Sequence, residues 1–438
     1  MGFGIVSTDS DLENGQPGAQ PAGILAGIKV VEFAQNAAIP HCGRLMAGMG
    51  AEVVKVEPTG GDAMRALAQL APNESKAFAV INPGKRGMCL DLDHENSREV
   101  IHALFLWADV ILVAFKQSDL PRYGIDWDSA RQVNPRLIHL THTPFGPKGP
   151  DADLGGYDVL VQGRSGAGFL MNRSENGAPI STRPAVNDFG TGIVSALGVV
   201  AALRHRDLTD QGQRVDTSLL GTAMTLATPM VNRFEVDEEP IAELSIDMAA
   251  MRGAGVDFDT QRAMYDDRVL PGAGAFRIYF RHYLTADGLI SVAGLSVALH
   301  DKFHAATGLP RPDIRDPHTP EFDQIVEQAE ALFKERTTSE WLAALRSAGF
   351  PASIYNLPYE AIDDPQIRAN DFIVDIEHPA FGTYSTTGMP LQFEAAPNAI
   401  AGRSPTLGEH TAEVLSEIGL DDAAIERLAA SGVVGRIA

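Results

Sequence analysis

Residues 27–58 have the sequence GIKVVEFAQNAAIPHCGRLMAGMGAEVVKVEP, and this stretch decides the fold class. Its apolar runs predict a buried strand over 28–33, a helix over 40–50 that ends at Gly50, and a second buried strand over 51–58. Strands joined through a helix run parallel in one sheet, because a parallel pair needs a crossover connection. The stretch therefore predicts the first strand–helix–strand unit of an α/β fold.

The same alternation continues through the first half of the chain. Further strands are predicted over 87–93, 109–115 and 136–146. A helix over 95–108 separates the first two of these strands, and a short helix precedes the third. Strands that alternate with helices in this way indicate a doubly wound α/β domain.

From about Leu226 the pattern changes. Residues 235–247 and 257–276 are acidic and are interrupted by Pro and Gly, which suggests a linker to another unit. A β-hairpin is predicted over 276–294. Helices dominate between 300 and 350. The tail is predicted to return to strands, over 371–379 and 387–395, before a helix over 411–419.

The composition excludes some classes of protein. The 438 residues contain 35 Lys and Arg against 57 Asp and Glu, a formal net charge of −22, which argues against a nucleic-acid partner. An anionic small molecule stays possible, because a few local cations can bind it at contact distance. The only cysteines, Cys42 and Cys89, form no disulfide framework and fit a reducing cytoplasm. No metal-ligand motif occurs, so we expect no metal site.

The N-terminus lacks the basic start and apolar block of a signal peptide, and residues 1–22 are expected to form a mobile arm. The longest apolar run, over 193–203, is shorter than the ~20 residues that a bilayer-spanning helix needs. We therefore expect a cytoplasmic protein without a membrane partner.

Two phosphate-binding hypotheses arise from the first half. Glu57 ends the second strand, where an acid could contact a ribose, but the preceding loop AQNAAIP has no GxGxxG, which disfavours a dinucleotide enzyme. Four cations lie at strand or loop ends: Arg65, Lys85, Arg86 and Arg122. They are either solvated surface residues or ligands for a phosphate-bearing molecule.

The stretch NDFGTG over 187–192 offers a candidate catalytic group. Asn187 or Asp188 could simply cap the helix predicted from about residue 191. Alternatively, the helix dipole would hold the Asp188 carboxylate ionised, and the glycines would let a substrate approach. The backbone N–H groups of Gly190 and Gly192 could bind an oxyanion, and a carboxylate is a legitimate nucleophile toward acyl groups. The residues alone leave both interpretations open.

Long blocks of the chain, in order, resemble the class III CoA-transferases, the CaiB/BaiF family. The resemblance is carried by residues 27–65 together with the blocks NPGKRGMCLDL, GGYDVLVQGRSG, NDFGTGIVSALGVVAALRHRDLTDQGQRVDTSLL, YLTADG, AGFPASIYN, DDPQIRAND and SPTLGEHTAEVL. These blocks cover nearly everything after the arm. The resemblance implies a large Rossmann-like parallel-sheet domain from both chain ends (23–225 and 346–438), a small inserted α+β domain (226–345) and an interlocked dimer.

The resemblance also implies site residues. The family's catalytic aspartate matches Asp188. CoA-binding positions match Lys85, Phe115 and Arg122, with Asn36, Ala37 and Ala38 in the loop after the first strand and Tyr157 near the acyl site. Together with Arg65 and Gly190 from the chemical argument, these residues form the predicted binding site.

The implied reaction moves CoA from an acyl-CoA donor to a free carboxylic acid through a covalent aspartyl intermediate. CoA is then part of the substrate, and no tightly bound cofactor is expected; the partners are an acyl-CoA, a carboxylic acid and a second copy of the chain. The alternatives are a partner from the same family in a hetero-oligomer, a CoA-binding scaffold, and an α-methylacyl-CoA racemase. Racemases carry a histidine where this sequence has Tyr157, and a tyrosine is a poor proton acceptor at neutral pH.

Two departures from formyl-CoA transferase argue for an acid larger than formate or oxalate. Ala37 stands in place of a glutamine that helps to hold the acyl group, and the glycine flap is reduced to PGAGAF over 271–276.

Overall fold

A parallel sheet is the centre of the first of two units in this chain. The structure, a computed structural model, describes residues 23–228, 230–269, 273–315, 319–400 and 402–435, so the predicted arm over 1–22 lies outside the described residues. The first unit contains the described chain up to Ser165, Arg183–Leu226 and the described chain from Asp371 onwards. The second contains the described parts of Gly166–Thr182 and Ala227–Asn370.

The elements are numbered in chain order among the described residues. The strands are β1 (Lys29–Phe33), β2 (Glu52–Glu57), β3 (Gln69–Ala71), β4 (Glu74–Ser75), β5 (Arg86–Cys89), β6 (Val110–Val113), β7 (Ile138–Thr143), β8 (Arg173–Glu175), β9 (Ala178–Ile180), β10 (Gln213–Ser218), β11 (Phe280–Leu284), β12 (Leu289–Ala293), β13 (Ala352–Ile354), β14 (Ile373–His378) and β15 (Gly382–Thr387). The helices are α1 (Ala38–Gly48), α2 (Lys76–Ile81), α3 (Ser97–Trp107), α4 (Leu120–Tyr123), α5 (Trp127–Val133), α6 (Asp158–Arg164), α7 (Ala167–Met171), α8 (Val186–Thr209), α9 (Leu219–Leu226), α10 (Glu238–Gly253), α11 (Phe258–Val269), α12 (Val297–Thr307), α13 (Pro320–Phe333), α14 (Thr338–Ser347), α15 (Pro358–Ala361), α16 (Pro365–Arg368), α17 (Thr411–Glu417) and α18 (Asp422–Ser431).

The six strands of the main sheet have the order β10-β7-β6-β1-β2-β5, and all of them are parallel. The predicted α/β class is therefore confirmed. From β1 the chain builds outward through β2 and β5, and it then returns to the other side of β1 with β6. The point between β1 and β6 is a topological switch point, where open α/β sheets bind ligands beyond the carboxyl ends of their strands.

Successive residues of the strands pack against opposite helix layers. Val30 of β1 lies in the apolar cluster that includes Leu45 of α1 and Val199 of α8. Its neighbour Val31 lies in the other cluster, with Leu104 of α3 and residues of α17 and α18. Because side chains alternate along a strand, a strand that is apolar throughout must be covered on both faces.

The second unit has its own core. Strands β11, β12 and β13 form an antiparallel sheet, which confirms the predicted hairpin. Its core contains Tyr283 of β11 with Phe322 and Ile325 of α13 and Trp341 of α14. β13 pairs with β12, so residues just after the predicted boundary at 345 belong to this sheet.

The predicted linker over 235–247 and 257–276 is wrong. The helices α10 and α11 occupy most of it. Pro240 does not prevent α10 because it lies in the first helical turn, where the backbone N–H has no intrahelical acceptor. Glu238 and Glu239 begin this helix and are favoured there by its dipole. In the tail, the strand predicted over 387–395 is also wrong, since β15 ends at Thr387.

The helix after NDFGTG begins five residues earlier than predicted, at Val186, and packs closely on α1. A Cβ added at Gly192 would lie 2.8 Å from the carbonyl oxygen of Ala38 and 2.8 Å from Cβ of His41. Gly192 therefore permits the close approach of α1 and α8.

We expect Gly192→Ala to lower the free energy of unfolding by about 1–3 kcal/mol, because the two helices must move apart. Gly163→Ala in α6 is the matched control, since a Cβ there meets no atom within 4 Å. Alanine is the better helix former, so the control should be neutral or stabilising by up to about 1 kcal/mol. Urea unfolding followed by circular dichroism measures both changes, and equal midpoints for the two variants would contradict the prediction.

Candidate active site

Asp188 lies in the first turn of α8, and another residue caps that helix. Ala185 at the N-cap position makes no side-chain bond to the helix. Instead, the backbone N–H groups of Asn187 and Asp188 donate to Oδ2 of Asp158, at 2.8 and 3.0 Å. Among the described residues, no donor reaches the carboxylate of Asp188. The interpretation of Asp188 as the cap is therefore wrong, and its carboxylate is left for another purpose.

The environment of Asp188 raises the pKa of its carboxyl from 3.8 to about 6. Burial is the larger cause, because it disfavours the charged form, and the negative charge of Asp158 is the second. Burial and the charge of Asp158 thus oppose the ionisation that the helix dipole favours. At pH 7 to 8 the carboxylate is still mostly ionised, and the raised pKa makes it more basic and more nucleophilic than an exposed aspartate.

Asp188 opens into a cavity of about 300 Å³ in the first unit, beyond the carboxyl ends of β1, β6 and β7. This is the edge of the sheet that contains the switch point. The cavity brings together six of the predicted site residues, Asn36, Ala37, Ala38, Phe115, Tyr157 and Asp188. The parallel topology explains the convergence, because the segments after successive strands meet at one edge of the sheet.

The loop after β1 is held by buried charges. Lys55 is fully buried, and its Nζ lies 3.2 Å from Oε1 of Glu32 and 2.9 Å from Oδ2 of Asp62. It also donates to the carbonyl oxygen of Ala34, at 2.7 Å. Asn36 has a positive φ of 65°, and its N–H donates to Oδ1 of Asp62, at 3.4 Å. These contacts fix the backbone that forms one wall of the cavity.

A second cleft, also of about 300 Å³, adjoins the first. Gln35 and Phe115 line both of them. The second cleft is acidic, with Glu57, Asp91 and Asp93 in its wall. The two clefts together offer an extended site along the carboxyl edge of the sheet.

Arg122 lies beside this second cleft. Its Nη2 donates to Oδ1 of Asp93 and to the hydroxyl of Tyr123, and both partners line the cleft. The Arg122 side chain is 60% exposed. It therefore keeps surface with which a phosphate can interact.

The expected phosphate-binding role of Arg65 is not supported by the geometry. Arg65 is 3% exposed, and all five of its N–H donors are used. Two bonds go to Glu57 at 2.7 and 2.8 Å, and the others go to the carbonyl oxygens of Asn73 and Pro405 and to Glu74. A buried guanidinium must be paired in this way, so it has no donor left for a ligand.

Lys85 is occupied in the same manner. Its ammonium donates to Oε2 of Glu32 at 2.8 Å, to the carbonyl oxygen of Pro40 at 2.7 Å and to Oδ1 of Asn82 at 2.8 Å. Burial lowers its pKa to about 8. Lys85 is absent from the described walls of both clefts, so in this structure it supports the β1–α1 region rather than the ligand site.

The expected role of Gly190, binding an oxyanion through its backbone N–H, is not supported either. It lies inside α8, where its backbone N–H belongs to the intrahelical bonding pattern and is not free for an oxyanion. A Cβ at Gly190 would lie 3.0 Å from Cγ2 of Thr222 in α9. The lack of side chains at Gly190 and Gly192 therefore makes room for the neighbouring helices α9 and α1, and not for a thioester.

Sequence reasoning missed three residues of the site. Lys116 is the one Lys or Arg among the described residues that line the Asp188 cavity, and it directly follows the predicted Phe115. His142 near the end of β7 also lines it. Asp158 provides the cap. The charge of Lys116 and the position of His142 near a strand end could have indicated these two residues. Nothing in the sequence, however, pairs Asp158 with a helix that begins 28 residues later.

Two further expectations concern a metal and a membrane. The described residues contain no group of three or more His, Cys, Asp or Glu that could hold a metal ion. Among the described residues, one helix, α8, is long and apolar enough to cross a bilayer. By length and composition alone, the expectation that the apolar run is too short for a membrane span is therefore wrong. In the most apolar 18-residue segment of α8, 44% is buried. A single helix of this kind is weak evidence for a membrane span, because core helices of soluble proteins are also this long and apolar.

The fold and the site together define an α/β enzyme with an unpaired carboxylate at the switch-point cleft. Residues 25–411 match the family described as CoA-transferase family III, and the chain belongs to this family of enzymes. It is 31% identical to succinate–glutarate CoA-transferase of Agrobacterium fabrum, over 90% of this chain and 95% of that protein. It is 30% identical to formyl-CoA:oxalate CoA-transferase of Rhodopseudomonas palustris, over 93% of this chain and 96% of that protein.

Solved structures show the same fold. A CaiB/BaiF family protein from Brucella suis superposes with a TM-score of 0.70 at 25% identity, over 91% of this chain and all of that one. Rv3272 from Mycobacterium tuberculosis gives the same TM-score and identity, over 90% of this chain and all of its own. The predicted family membership is confirmed.

The raised pKa of Asp188 predicts a pH-dependent effect on stability. The folded state binds this proton more tightly than the unfolded chain, so stability is lost as the pH rises from 3.8 to about 6. We expect Asp188→Asn to raise the free energy of unfolding at pH 8 by about 1–3 kcal/mol, and the gain to vanish below about pH 4. Denaturant unfolding at both pH values measures it. Glu327→Gln, an exposed carboxylate in α13, is the control, and an equal gain for Asp188→Asn at both pH values would contradict the assignment.

Proposed function

We propose that this enzyme transfers CoA from an acyl-CoA donor to a free carboxylic acid, with Asp188 as the nucleophile. The observation that carries the proposal is the Asp188 carboxylate, which lines the switch-point cavity without a hydrogen-bond donor from the described residues. A structural aspartate at a helix start would be bonded. Here Asp158 takes that role, which leaves Asp188 to react.

The proposed route balances without an external reagent. An Oδ atom of Asp188 attacks the donor thioester carbon, the C–S bond breaks, and a mixed anhydride and CoA thiolate form. The thiolate attacks the Asp188 carbonyl carbon, which releases the donor acid and leaves an aspartyl-CoA thioester. The acceptor carboxylate attacks this thioester, giving a second anhydride and the thiolate. The thiolate then attacks the acceptor's acyl carbon, so acceptor-CoA leaves and the Asp188 carboxylate is restored.

The cavity suits reactive intermediates of this kind. Water would hydrolyse the anhydride and waste the thioester, so the reaction needs enclosure. The wall of the cavity includes the apolar groups Ile39, Ala114, Phe115 and Leu219. Ala38 and Ile39 are also the first residues of α1, where backbone N–H groups lack intrahelical acceptors and can bind acyl oxygen.

CoA itself is proposed to lie across both clefts. Gln35 and Phe115 line the two clefts and join them, so the thioester can reach Asp188 while the nucleotide end occupies the acidic cleft. Asp91 and Asp93 in that cleft suit the hydroxyls and amino group of the nucleotide better than its phosphates, whereas the buried Glu57 carboxylate is paired with Arg65. Lys116 and Arg122 are the proposed phosphate partners, in place of Arg65 and Lys85.

The names of the relatives and the size of the cavity limit which carboxylic acid is proposed as the substrate. The relatives act, by their names, on succinate and glutarate or on formyl-CoA and oxalate. A cavity of about 300 Å³ with Ala37 rather than a longer side chain in its wall favours a carboxylic acid larger than formate. The flap candidate over 271–276 lies partly outside the described residues, which resume with the short helical turn Ala273–Phe276.

The nucleophile is tested with Asp188→Ala and Asp188→Asn. Both variants are expected to lose transfer activity by at least about 10³-fold, because they cannot form the anhydride. Asp207→Asn, an exposed aspartate in the same helix, should remain active. In the wild type, acyl-CoA and hydroxylamine should give an Asp188 hydroxamate that mass spectrometry detects. Transfer that survives in Asp188→Ala would refute the mechanism.

The pH profile and solvent exchange sharpen this test. Activity needs the ionised carboxylate, so kcat/KM is expected to fall as the pH drops through about 6. Asp158→Asn should move this midpoint to lower pH, since it removes a negative charge beside Asp188.

A racemase would instead exchange the α-proton of a 2-methylacyl-CoA in deuterated water without an acceptor acid. Such exchange in place of transfer would favour that alternative.

The proposed assembly is a homodimer of interlocked chains. Helix α8 supports a partner because the described residues leave an apolar stripe on it uncovered, with Ile193, Leu197 and Leu208 at 53, 68 and 67% exposure. Stripes of this size on one helix are characteristic of interfaces.

Sedimentation velocity is expected to give twice the chain mass of 46.8 kDa at all concentrations at which the protein is folded. Interlocked chains can separate only by unfolding, so two differently tagged dimers should exchange subunits no faster than they unfold. A monomer would contradict the dimer, and rapid exchange at full dimer mass would contradict the interlocking alone.

A further inference from the structure

His142 is a second polar group in the cavity that the proposed chemistry does not use. It is the fifth residue of β7 and lies on the same sheet face as Ile138 and Leu140, which pack with α1 and α8. The residue is only 8% exposed, and yet it lines the same cavity as Asp188.

The imidazole of His142 lacks a partner in the described structure. Its Nδ1 is shut off from solvent without a hydrogen bond. Its Nε2 has no protein partner either, but it is not enclosed in this way, so a molecule in the cavity can reach it. The contrast is His139 on the same strand, whose Nε2 lies 2.8 Å from the carbonyl oxygen of Ile125 and whose Nδ1 lies 3.2 Å from Oγ1 of Thr141.

The surroundings of His142 keep it neutral. Burial alone lowers its pKa to about 4, and no neighbouring charge contributes. A neutral imidazole whose Nδ1 is buried presents an Nε2–H donor.

We propose that His142 donates a hydrogen bond to an oxygen atom of the acyl group remote from the reacting carbonyl, so that the enzyme selects acids with a second oxygen function. This inference rests on the proposed function. A wholly apolar acid would remove water from the imidazole without replacing its hydrogen bond, and an unpaired buried donor is costly. A hydroxyl, oxo or second carboxylate oxygen restores the bond, and sites built to bond a substrate oxygen discriminate strongly against analogues that lack it.

The test compares acceptor acids of equal carbon number. Pentanoate has no second oxygen function, 4-oxopentanoate has an oxo group, and glutarate has a second carboxylate. With one acyl-CoA donor, the wild type is expected to use at least one of the oxygenated acids with a kcat/KM about 10-fold or more above that for pentanoate. The measurement is the initial rate of acceptor-CoA formation by liquid chromatography.

Two variants isolate the imidazole. His142→Leu is expected to abolish the preference by lowering kcat/KM for the oxygenated acid about 10-fold or more, with little change for pentanoate. His142→Gln places an amide N–H near the position of Nε2, so it should keep the preference within about 3-fold. With acetyl-CoA as the donor, whose acyl group has no second oxygen function, KM for the donor should stay unchanged in both variants, and circular dichroism checks their folding.

The outcomes separate this inference from the proposed function. Wild-type transfer without any preference, or an equal loss for every acceptor in His142→Leu, would overturn the role of His142 and leave CoA transfer intact. A preference that persists in folded His142→Leu would overturn it as well. Folded wild-type enzyme that transfers CoA to none of these acids, across acetyl-, succinyl- and aromatic acyl-CoA donors, would count against the proposed function itself.

Discussion

The carboxylate of Asp158 at the first turn of α8 is the contact on which the proposed active site depends. It accepts hydrogen bonds from the backbone N–H groups of Asn187 and Asp188 and from the side chains of Asn187 and Gln162. It thereby joins the start of α6, where Tyr157 lies, to the start of α8. An aspartate that capped its own helix would be bonded and unreactive. Because the cap comes from another helix, the Asp188 side chain is free to line the cavity.

The two neighbouring carboxylates have different roles because their environments differ. Asp158 is 6% exposed and is satisfied by hydrogen bonds, whereas Asp188 is partly buried and receives none from the described residues. The charge of Asp158 then adds to burial and raises the pKa of Asp188. Neighbouring titratable groups in different environments commonly have different roles in an active site. Here one carboxylate fixes the backbone and the other is left basic.

Buried ion pairs hold the region around β1 and the start of α1, which forms another part of the cavity wall. Glu32 contacts both Lys55 and Lys85, and all three side chains are excluded from solvent. Cations in such positions are stable only when every donor is used, so they cannot also bind a phosphate. The cations that remain available, Lys116 and Arg122, lie in flanking loops or at the surface. In a chain with a net charge of −22, this division leaves few positions where an anionic ligand can be held.

The sequence by itself determined the class of fold and the family, because the apolar period of segments such as 28–33 and 51–58 depends only on local order along the chain. It also placed Asn36, Ala37, Ala38, Phe115 and Tyr157, which follow strands or begin helices, in one site. Only the tertiary structure decided the roles of Arg65, Lys85 and Gly190, since burial and partners from distant segments fix what a cation or a glycine can do. The same holds for Asp188. Its position follows from the motif, but its free carboxylate and raised pKa depend on Asp158, which reaches it only through folding.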